Sequence, residues 1–205
     1  KITMANRNTV GFGLIAQGNV GSSDANQGQG KYYIDANYGV AMFQGSVVQS
    51  KAGYIADAEA ARTRLTIGIL NGIFYNAATT QKPTWANHYV ANTVPANSED
   101  ITAFVIDSPL QLFAVGADGA VAAALYGNTA SMTQAVPAGS TLSGQSSKQL
   151  NVAANTSATA NQFRLLRSAE DVENEDILVA NSTQIVCQNL NQYMQNTGTA
   201  GITWQ

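Results

Sequence analysis

The chain has 205 residues, enough for one domain of ordinary size with a sizeable hydrophobic core. Hydrophobic residues make up 45% and charged residues 11% of it, which excludes the hydrophobe-poor, highly charged composition of a disordered chain. The formal net charge of −3 leaves no basic surface for nucleic acid. No apolar run approaches the roughly 18 residues of a membrane span, so we expect a soluble protein that binds neither nucleic acid nor membrane.

Residues 1–37 differ in composition from the rest of the chain. Glycine recurs between Asn and Gln residues, and the apolar residues form only two small islands, at 10–15 and 32–34. Such a stretch buries too little surface to offset its own ordering entropy. We therefore predict an extended N-terminal arm over residues 1–37, which orders against a partner, and a β-rich body over residues 38–205.

From Tyr38 onward, short apolar and β-branched runs alternate with turn residues. Asn71-Gly72 lies between two apolar runs, a pattern that strongly favours a hairpin turn because both residues tolerate positive φ. Residues 184–190 are predicted to form a last core strand. Short strands with turn residues every 8 to 12 positions predict a small β-barrel or sandwich.

Helical patterns are weak. Residues 56–64 contain good helix formers but few large hydrophobes, and Ser168–Asp171 fits a capping box without an apolar helical period after it. We expect at most one or two short helices. The Ser-, Thr- and Ala-rich residues 138–160 are expected to form loops or an exposed strand pair.

The candidate catalytic and metal-binding residues have simpler interpretations. His88 is the only histidine and no nucleophile motif accompanies it, while Cys187, the only cysteine, lies in an apolar strand pattern typical of a core. The five carboxylates of residues 170–176 lack the glycine and the spacing of a calcium loop. We predict no catalytic residue, no metal site and no cofactor, and hence no enzyme.

The opening sequence MANRNTVGFGL, residues 4–14, resembles the start of a family of small capsid-associated proteins of marine tailed bacteriophages, described as head decoration or cement proteins. Two differences stand beside this resemblance. The family often continues with Arg-Pro where this chain has Ile15-Ala16, and residues 138–160 match no part of it. Shorter similarities continue along the chain, at residues 38–45, 53–55, 67–75, 82–85, 104–113, 163–166 and 173–175.

The resemblance implies a virion protein, made in the host bacterial cytoplasm, that binds the outer surface of the capsid shell and stabilises it. Its implied partners are the major capsid protein and further copies of this chain, as dimers or trimers. On this hypothesis Arg7, Phe12 and Leu14 anchor the arm on the capsid, and Trp85 and Tyr89 make secondary contacts.

Two other classes of function stay open at this point. The chain could be a neck, tail or minor fibre protein of the virion, which a low copy number would indicate. It could also be a carbohydrate-binding or adhesin module, in which Trp85, Tyr89 and Trp204 would supply an aromatic platform.

Overall fold

A computed structural model describes residues 6–21, 28–58, 66–133, 139–156 and 161–188. These residues are mainly β, with two single-turn 3₁₀ segments at Ala96–Ser98 and Ala123–Leu125. Among them no helix is long and apolar enough to cross a membrane. The described strands are β1 (Ile15–Asn19), β2 (Gly30–Ile34), β3 (Val47–Lys51), β4 (Tyr54–Asp57), β5 (Thr66–Asn76), β6 (Pro83–Ala86), β7 (Ile101–Ile106), β8 (Gln111–Gly116), β9 (Thr129–Met132), β10 (Leu150–Thr156), β11 (Phe163–Ser168) and β12 (Thr183–Gln188).

The strands form two antiparallel sheets of six strands each. Sheet A has the order β1-β8-β12-β11-β9-β10, and sheet B has the order β2-β7-β5-β3-β4, with β6 also paired to β5. Within the described ranges both sheets keep edge strands, β1 and β10 in sheet A and β2, β4 and β6 in sheet B, so the sheets do not close into a barrel. The sandwich that the sequence predicted is therefore confirmed, and the barrel is not.

Sheet B is buried on both of its faces over part of its area. Successive residues of a strand point to opposite faces, and three adjacent pairs divide between two hydrophobic clusters. Val47, Ile69 and Ile106 pack in the core between the sheets, whereas their neighbours Val48, Leu70 and Val105 pack in a second core on the far side of sheet B. This double burial explains the continuous apolar run at the start of β5.

The second core is covered by irregular segments rather than by a third sheet. Met42 and Tyr89 exchange backbone hydrogen bonds of 3.0 and 2.7 Å, which joins two loops over the far face of sheet B. The Tyr89 hydroxyl donates to the backbone oxygen of Tyr38 at 2.7 Å. These bonds satisfy the backbone and phenol groups that the cover buries.

The hairpin predicted at Asn71-Gly72 is wrong, because β5 runs through both residues. Leu70 pairs with Val105 and Gly72 pairs with Phe104, which leaves Asn71 as the extra residue of a β-bulge. Neither Asn71 nor Gly72 has a positive φ. Pairing of β5 with β7 on both sides of the bulge outweighs the local preference for a turn.

The tight turn of this region lies instead at Ala52-Gly53, between β3 and β4. Lys51 pairs with Tyr54, so the loop has two residues, and both have positive φ, 51° and 88°. Two successive positive φ values are the conformation of a type I′ turn, whose twist matches that of the flanking strands.

The N-terminal arm expected over residues 1–37 is not confirmed as an element separate from the body. β1 pairs with β8 at the edge of sheet A, and β2 pairs with β7 at the edge of sheet B. Edge strands bury less side-chain surface than central ones, which accounts for the polar, glycine-rich composition. Residues 1–5 and 22–27 lie outside the described residues.

The remaining expectations have mixed outcomes. Residues 56 and 57 end strand β4, and most of the helix considered over 56–64 lies outside the described residues. Turns, not a helix, follow Ser168. Residues 150–156 form β10, whereas 139–149 form a loop that exchanges hydrogen bonds of 2.9 Å with Gln44. The predicted last core strand is confirmed as β12.

Candidate functional site

The N-terminal segment, residues 6–14, is tied to the acidic loop, residues 169–182. The Asn6 side chain donates to the backbone oxygens of Asp176 and Ala180 at 3.0 and 2.9 Å. The Arg7 backbone N–H donates to the Glu173 carbonyl at 3.1 Å, and the two side chains form an exposed ion pair. Part of the acidic run therefore holds the N-terminal segment on the body.

Asp171 organises the acidic loop from within. Its carboxylate accepts hydrogen bonds from the Asn174 amide at 2.9 Å and from the Thr183 hydroxyl at 3.2 Å. These bonds favour the charged form, so the pKa of Asp171 is lowered, chiefly by the bond from Asn174. Among the described residues no group of three His, Cys, Asp or Glu side chains could hold a metal ion.

Three large apolar side chains stand out of the N-terminal segment and the acidic loop. Val10 is 70% exposed, and two loop residues are exposed as well: Val172, next to Glu173, and Leu178, between Asp176 and Ala180. We call Arg7, Val10, Val172 and Leu178 the N-terminal surface. Exposed apolar side chains on adjoining segments are typical of a protein contact.

The predicted arm anchors have different environments. Arg7 is exposed, with 74% of its side chain accessible, and Phe12 is half-buried, with its ring over Gly116. Leu14 is buried in the core between the sheets, and its N–H donates to the Gly45 carbonyl at 3.0 Å. Leu14 is therefore an anchor within its own chain and is not accessible to a partner.

The two predicted secondary contacts, Trp85 and Tyr89, differ in their exposure to solvent. Tyr89 is completely buried in the second core, so its role as a surface contact is wrong. Sequence alone could not distinguish it from Trp85, four residues earlier, because both are aromatic residues of one irregular passage. Trp85 lies on β6 and is 68% exposed.

Trp85 belongs to a group of aromatic side chains that we call the aromatic face: Tyr33, Phe74, Trp85 and Phe104. Paired residues of an antiparallel sheet point to the same side. The pairs Tyr33–Thr102, Thr102–Phe74 and Phe74–Trp85 therefore form one row across β2, β7, β5 and β6. Phe104 stands two residues along β7 from Thr102, on the same side.

The aromatic face is the uncovered continuation of the sheet B surface that packs on sheet A. Ile106 contributes to the core between the sheets, and Phe104, two residues earlier on β7, points to the same side. Trp85 stacks on Phe104 with ring centroids 5.0 Å apart and an angle of 21° between the planes, and it contacts Phe74 at 5.0 Å. The stack holds the exposed indole in a fixed orientation.

A pocket of about 440 Å³ opens beside this stack. The bulge residue Asn71 and its neighbour Gly72 line it, together with Gln29, Trp85, Ala86, Asn87 and Phe104. Asn87 is held by two contacts: its amide donates to the Ser143 carbonyl at 2.8 Å, and its oxygen lies 3.1 Å from His88 Nδ1. The pocket thus combines an aromatic wall with fixed amide groups.

The two residues considered for catalysis, His88 and Cys187, are distant in the sequence and contact different residues. The His88 ring stacks on Phe43 at 5.8 Å, with 10° between the planes. Cys187 is half-buried in β12 opposite Arg164, and burial raises the pKa of its thiol. A raised pKa leaves less of the reactive thiolate at neutral pH.

The residues that the sequence analysis missed are Phe74 and Phe104. The run Ile101–Ile106 alternates between buried and half-buried residues, which places Phe104 on the opposite side from Val105. That alternation could have indicated an aromatic residue on the second face of the sheet. The β5 bulge, which brings Phe74 onto the same side, is not visible in the sequence pattern.

Comparison of the chain with protein-family models, with curated proteins and with solved structures found no match in any of the three.

Proposed function

We propose that the chain is a structural protein of a tailed-phage virion, a decoration or cement protein that binds the outer surface of the capsid shell and stabilises it. The major capsid protein is its partner, and copies of the chain meet as dimers or trimers around local symmetry axes. The chain is made in the host bacterial cytoplasm and acts on the capsid exterior. The resemblance of residues 4–14 to capsid-associated proteins supports this class of function.

The observation that carries the proposal is the N-terminal surface. Residues 4–14 and the block at 67–75 are the most specific parts of the resemblance, and the Asn6 and Arg7 hydrogen bonds hold residues 6–14 on the body. Val10, Val172 and Leu178 expose apolar area around those bonds. In the proposed complex these three side chains bury their surface on the shell, and Arg7 contacts polar groups beside them.

The arm of this proposal is shorter than the sequence predicted. It comprises the residues before Gly13, because Gly13 donates to the Lys148 carbonyl at 3.1 Å and Leu14 is buried. β1 and β2 then belong to the body. A short arm fixed in advance loses less conformational entropy on binding than a free one.

Stabilisation of the shell follows from mass action. A protein that binds the assembled shell and not its separated subunits lowers the free energy of the assembled state. Many weakly bound copies sum to a large effect on one particle. The low charged fraction of 11% limits repulsion between crowded copies.

The test uses purified shells that lack this chain. The wild-type protein is added at increasing concentration, the shells are sedimented, and the copies bound per major capsid subunit are counted. We expect saturable binding, which Val10→Asp or Leu178→Asp weakens at least about tenfold because a charge is then buried in the contact.

The matched control is Leu142→Asp, which places the same charge at a leucine that is 98% exposed and outside the N-terminal surface. It should bind like the wild type. Absence of wild-type binding to shells would contradict the proposed function, and equal weakening by all three variants would contradict the N-terminal surface as the contact.

A further inference from the structure

We propose that the aromatic face and its pocket form a binding site for a neutral oligosaccharide. This inference does not use the N-terminal surface, since it rests on Trp85, Phe104 and the amides around them; of these, Trp85 is also a secondary contact expected from the capsid resemblance. The sequence suggested an aromatic platform of Trp85, Tyr89 and Trp204. In the structure Tyr89 is buried, Trp204 lies outside the described residues, and Phe104 supplies the partner ring for Trp85.

The first argument is the geometry of the aromatic wall. Trp85 is 68% exposed, yet its ring is held by Phe104 and Phe74 at centroid distances of 5.0 Å. A flat, fixed aromatic surface next to a cavity fits the apolar C–H face of a sugar ring.

The second argument is charge. The chain has 13 acidic and 10 basic residues, and none of those that the structure describes lines the pocket. Lys31, which pairs with Phe104 across β2 and β7, places its ammonium over the Tyr33 ring at 5.5 Å. A wall without ionised groups disfavours a phosphate, a sulfate or a carboxylate ligand and suits an uncharged one.

The third argument is the supply of hydrogen-bonding groups. Gln29 is exposed at the pocket rim. The side-chain oxygen of Asn71 accepts a 3.0 Å hydrogen bond from the Gln44 amide, which fixes the orientation of the Asn71 amide group. Asn87 is positioned by Ser143 and His88. Amide groups both donate and accept, as sugar hydroxyl groups do, so they complement a ligand rich in hydroxyls.

The proposed site adjoins a second pocket, with which it shares two lining residues. Gln29 and Asn71 also line a second pocket of about 280 Å³ between β1 and β5. Among the described residues no ionised side chain lines this pocket either, and its lining adds Phe12, Gln44 and Gln145. Both pockets thus present amide groups beside aromatic side chains, so an oligosaccharide that occupies both contacts more of these groups than a single sugar does.

The test is a fluorescence titration with neutral oligosaccharides. The chain has two tryptophans, so Trp204→Phe leaves Trp85 as the only reporter. This variant is titrated with gluco-, manno-, galacto- and N-acetylglucosamine oligomers. We expect a saturable change in Trp85 emission for at least one of them. A sulfated form of the same oligomer should bind at least about tenfold more weakly, because its charge finds no partner in the pocket.

Two substitutions assign the site, with binding measured by calorimetry on the full chain. Phe104→Ala removes the support of the indole and Asn71→Ala removes an amide, and each should weaken binding about tenfold. Leu178→Ala is the matched control, since Leu178 is 69% exposed, as Trp85 is, and lies elsewhere. It should leave binding unchanged.

Failure of every neutral oligomer to bind would overturn the proposal, as would equal binding by the Phe104→Ala variant with an unchanged circular dichroism spectrum. Light scattering provides one further check on the aromatic face. If Trp85→Ala converts a wild-type oligomer into a monomer and no oligomer of sugar binds, the face is a contact between copies and the proposal is wrong.

Discussion

The Lys148 ammonium lies 2.5 Å from the Asp57 carboxylate, and both side chains are almost completely buried. Asp57 ends β4 in sheet B, and Lys148 precedes β10 in sheet A, so this ion pair joins two elements 91 residues apart in the chain. Taking two charges out of water is costly, and their attraction offsets that cost only while both partners are present.

Removing one partner should therefore destabilise the fold strongly. We expect Lys148→Met to lower the free energy of unfolding by about 3–5 kcal/mol, because the buried Asp57 carboxylate loses the ammonium whose charge offsets the cost of its burial. Adding Asp57→Leu to this variant should restore most of the loss. Urea denaturation measures both; a double variant no more stable than the single one would contradict the ion-pair explanation.

The exposed Arg7–Glu173 pair supplies the control, with side chains 74% and 56% accessible. We expect Arg7→Met to change the free energy of unfolding by less than about 1 kcal/mol, as is usual for ion pairs in contact with water.

Leu14 tests whether the N-terminal segment belongs to the body. It is buried against the core between the sheets, so Leu14→Ala should lower the free energy of unfolding by about 2–5 kcal/mol. Val10→Ala, at a residue 70% exposed, should stay within about 0.5 kcal/mol of the wild type. If Leu14→Ala were equally neutral, residues 6–14 would be an arm separate from the body.

The turn at Ala52-Gly53 offers a stabilising substitution. Ala52 has a φ of 51°, a conformation that is strained for alanine and tolerated by asparagine. Ala52→Asn should raise the free energy of unfolding by about 0.5–1 kcal/mol. Gly53 has a φ of 88° with open space around it, so Gly53→Ala should be destabilising through backbone strain alone. Thermal unfolding of the two variants measures whether Ala52→Asn raises and Gly53→Ala lowers the stability of the fold.

The raised pKa of Tyr89 predicts that the protein loses stability at alkaline pH. Burial raises the pKa of Tyr89 from 10.0 to about 12, so the folded state keeps the phenol proton that the unfolded state releases. The stability it contributes is complete below pH 10 and is lost as the pH rises through about 12.

Tyr89→Phe should remove this part of the alkaline decline, at the cost of the hydrogen bond to Tyr38 near neutral pH. Burial also raises the pKa of Tyr126, so the difference between wild type and variant is the measure. Urea unfolding from pH 8 to 12 should show a shallower decline for Tyr89→Phe; parallel curves would contradict the assignment.

The sequence was sufficient for the fold class and for several strands. The β-branched run that became β7 and the final strand β12 follow from local pattern and burial. The Asn71-Gly72 turn failed because strand pairing on both sides of a bulge outweighs local turn preference. The edge strands β1 and β2 were missed since an edge strand needs little apolar surface of its own.

The candidate sites were predictable only in part. Of the residues predicted to make contacts, Trp85 is exposed, whereas Tyr89 and Leu14 are buried by segments distant in the sequence. Burial of these two depends on Met42, Tyr38 and the core between the sheets, contacts that no local pattern contains. The attachment of the N-terminal segment to the acidic loop spans about 170 residues and has no sequence counterpart.

The measurement that tests the proposed function most directly is the copy number of this chain in purified virions. Quantitative mass spectrometry would compare its peptides with those of the major capsid subunit. The proposed function predicts a copy number comparable to that of the capsid subunit. A few copies per particle would indicate a neck, tail or fibre protein instead, and complete absence from the virion would contradict the account.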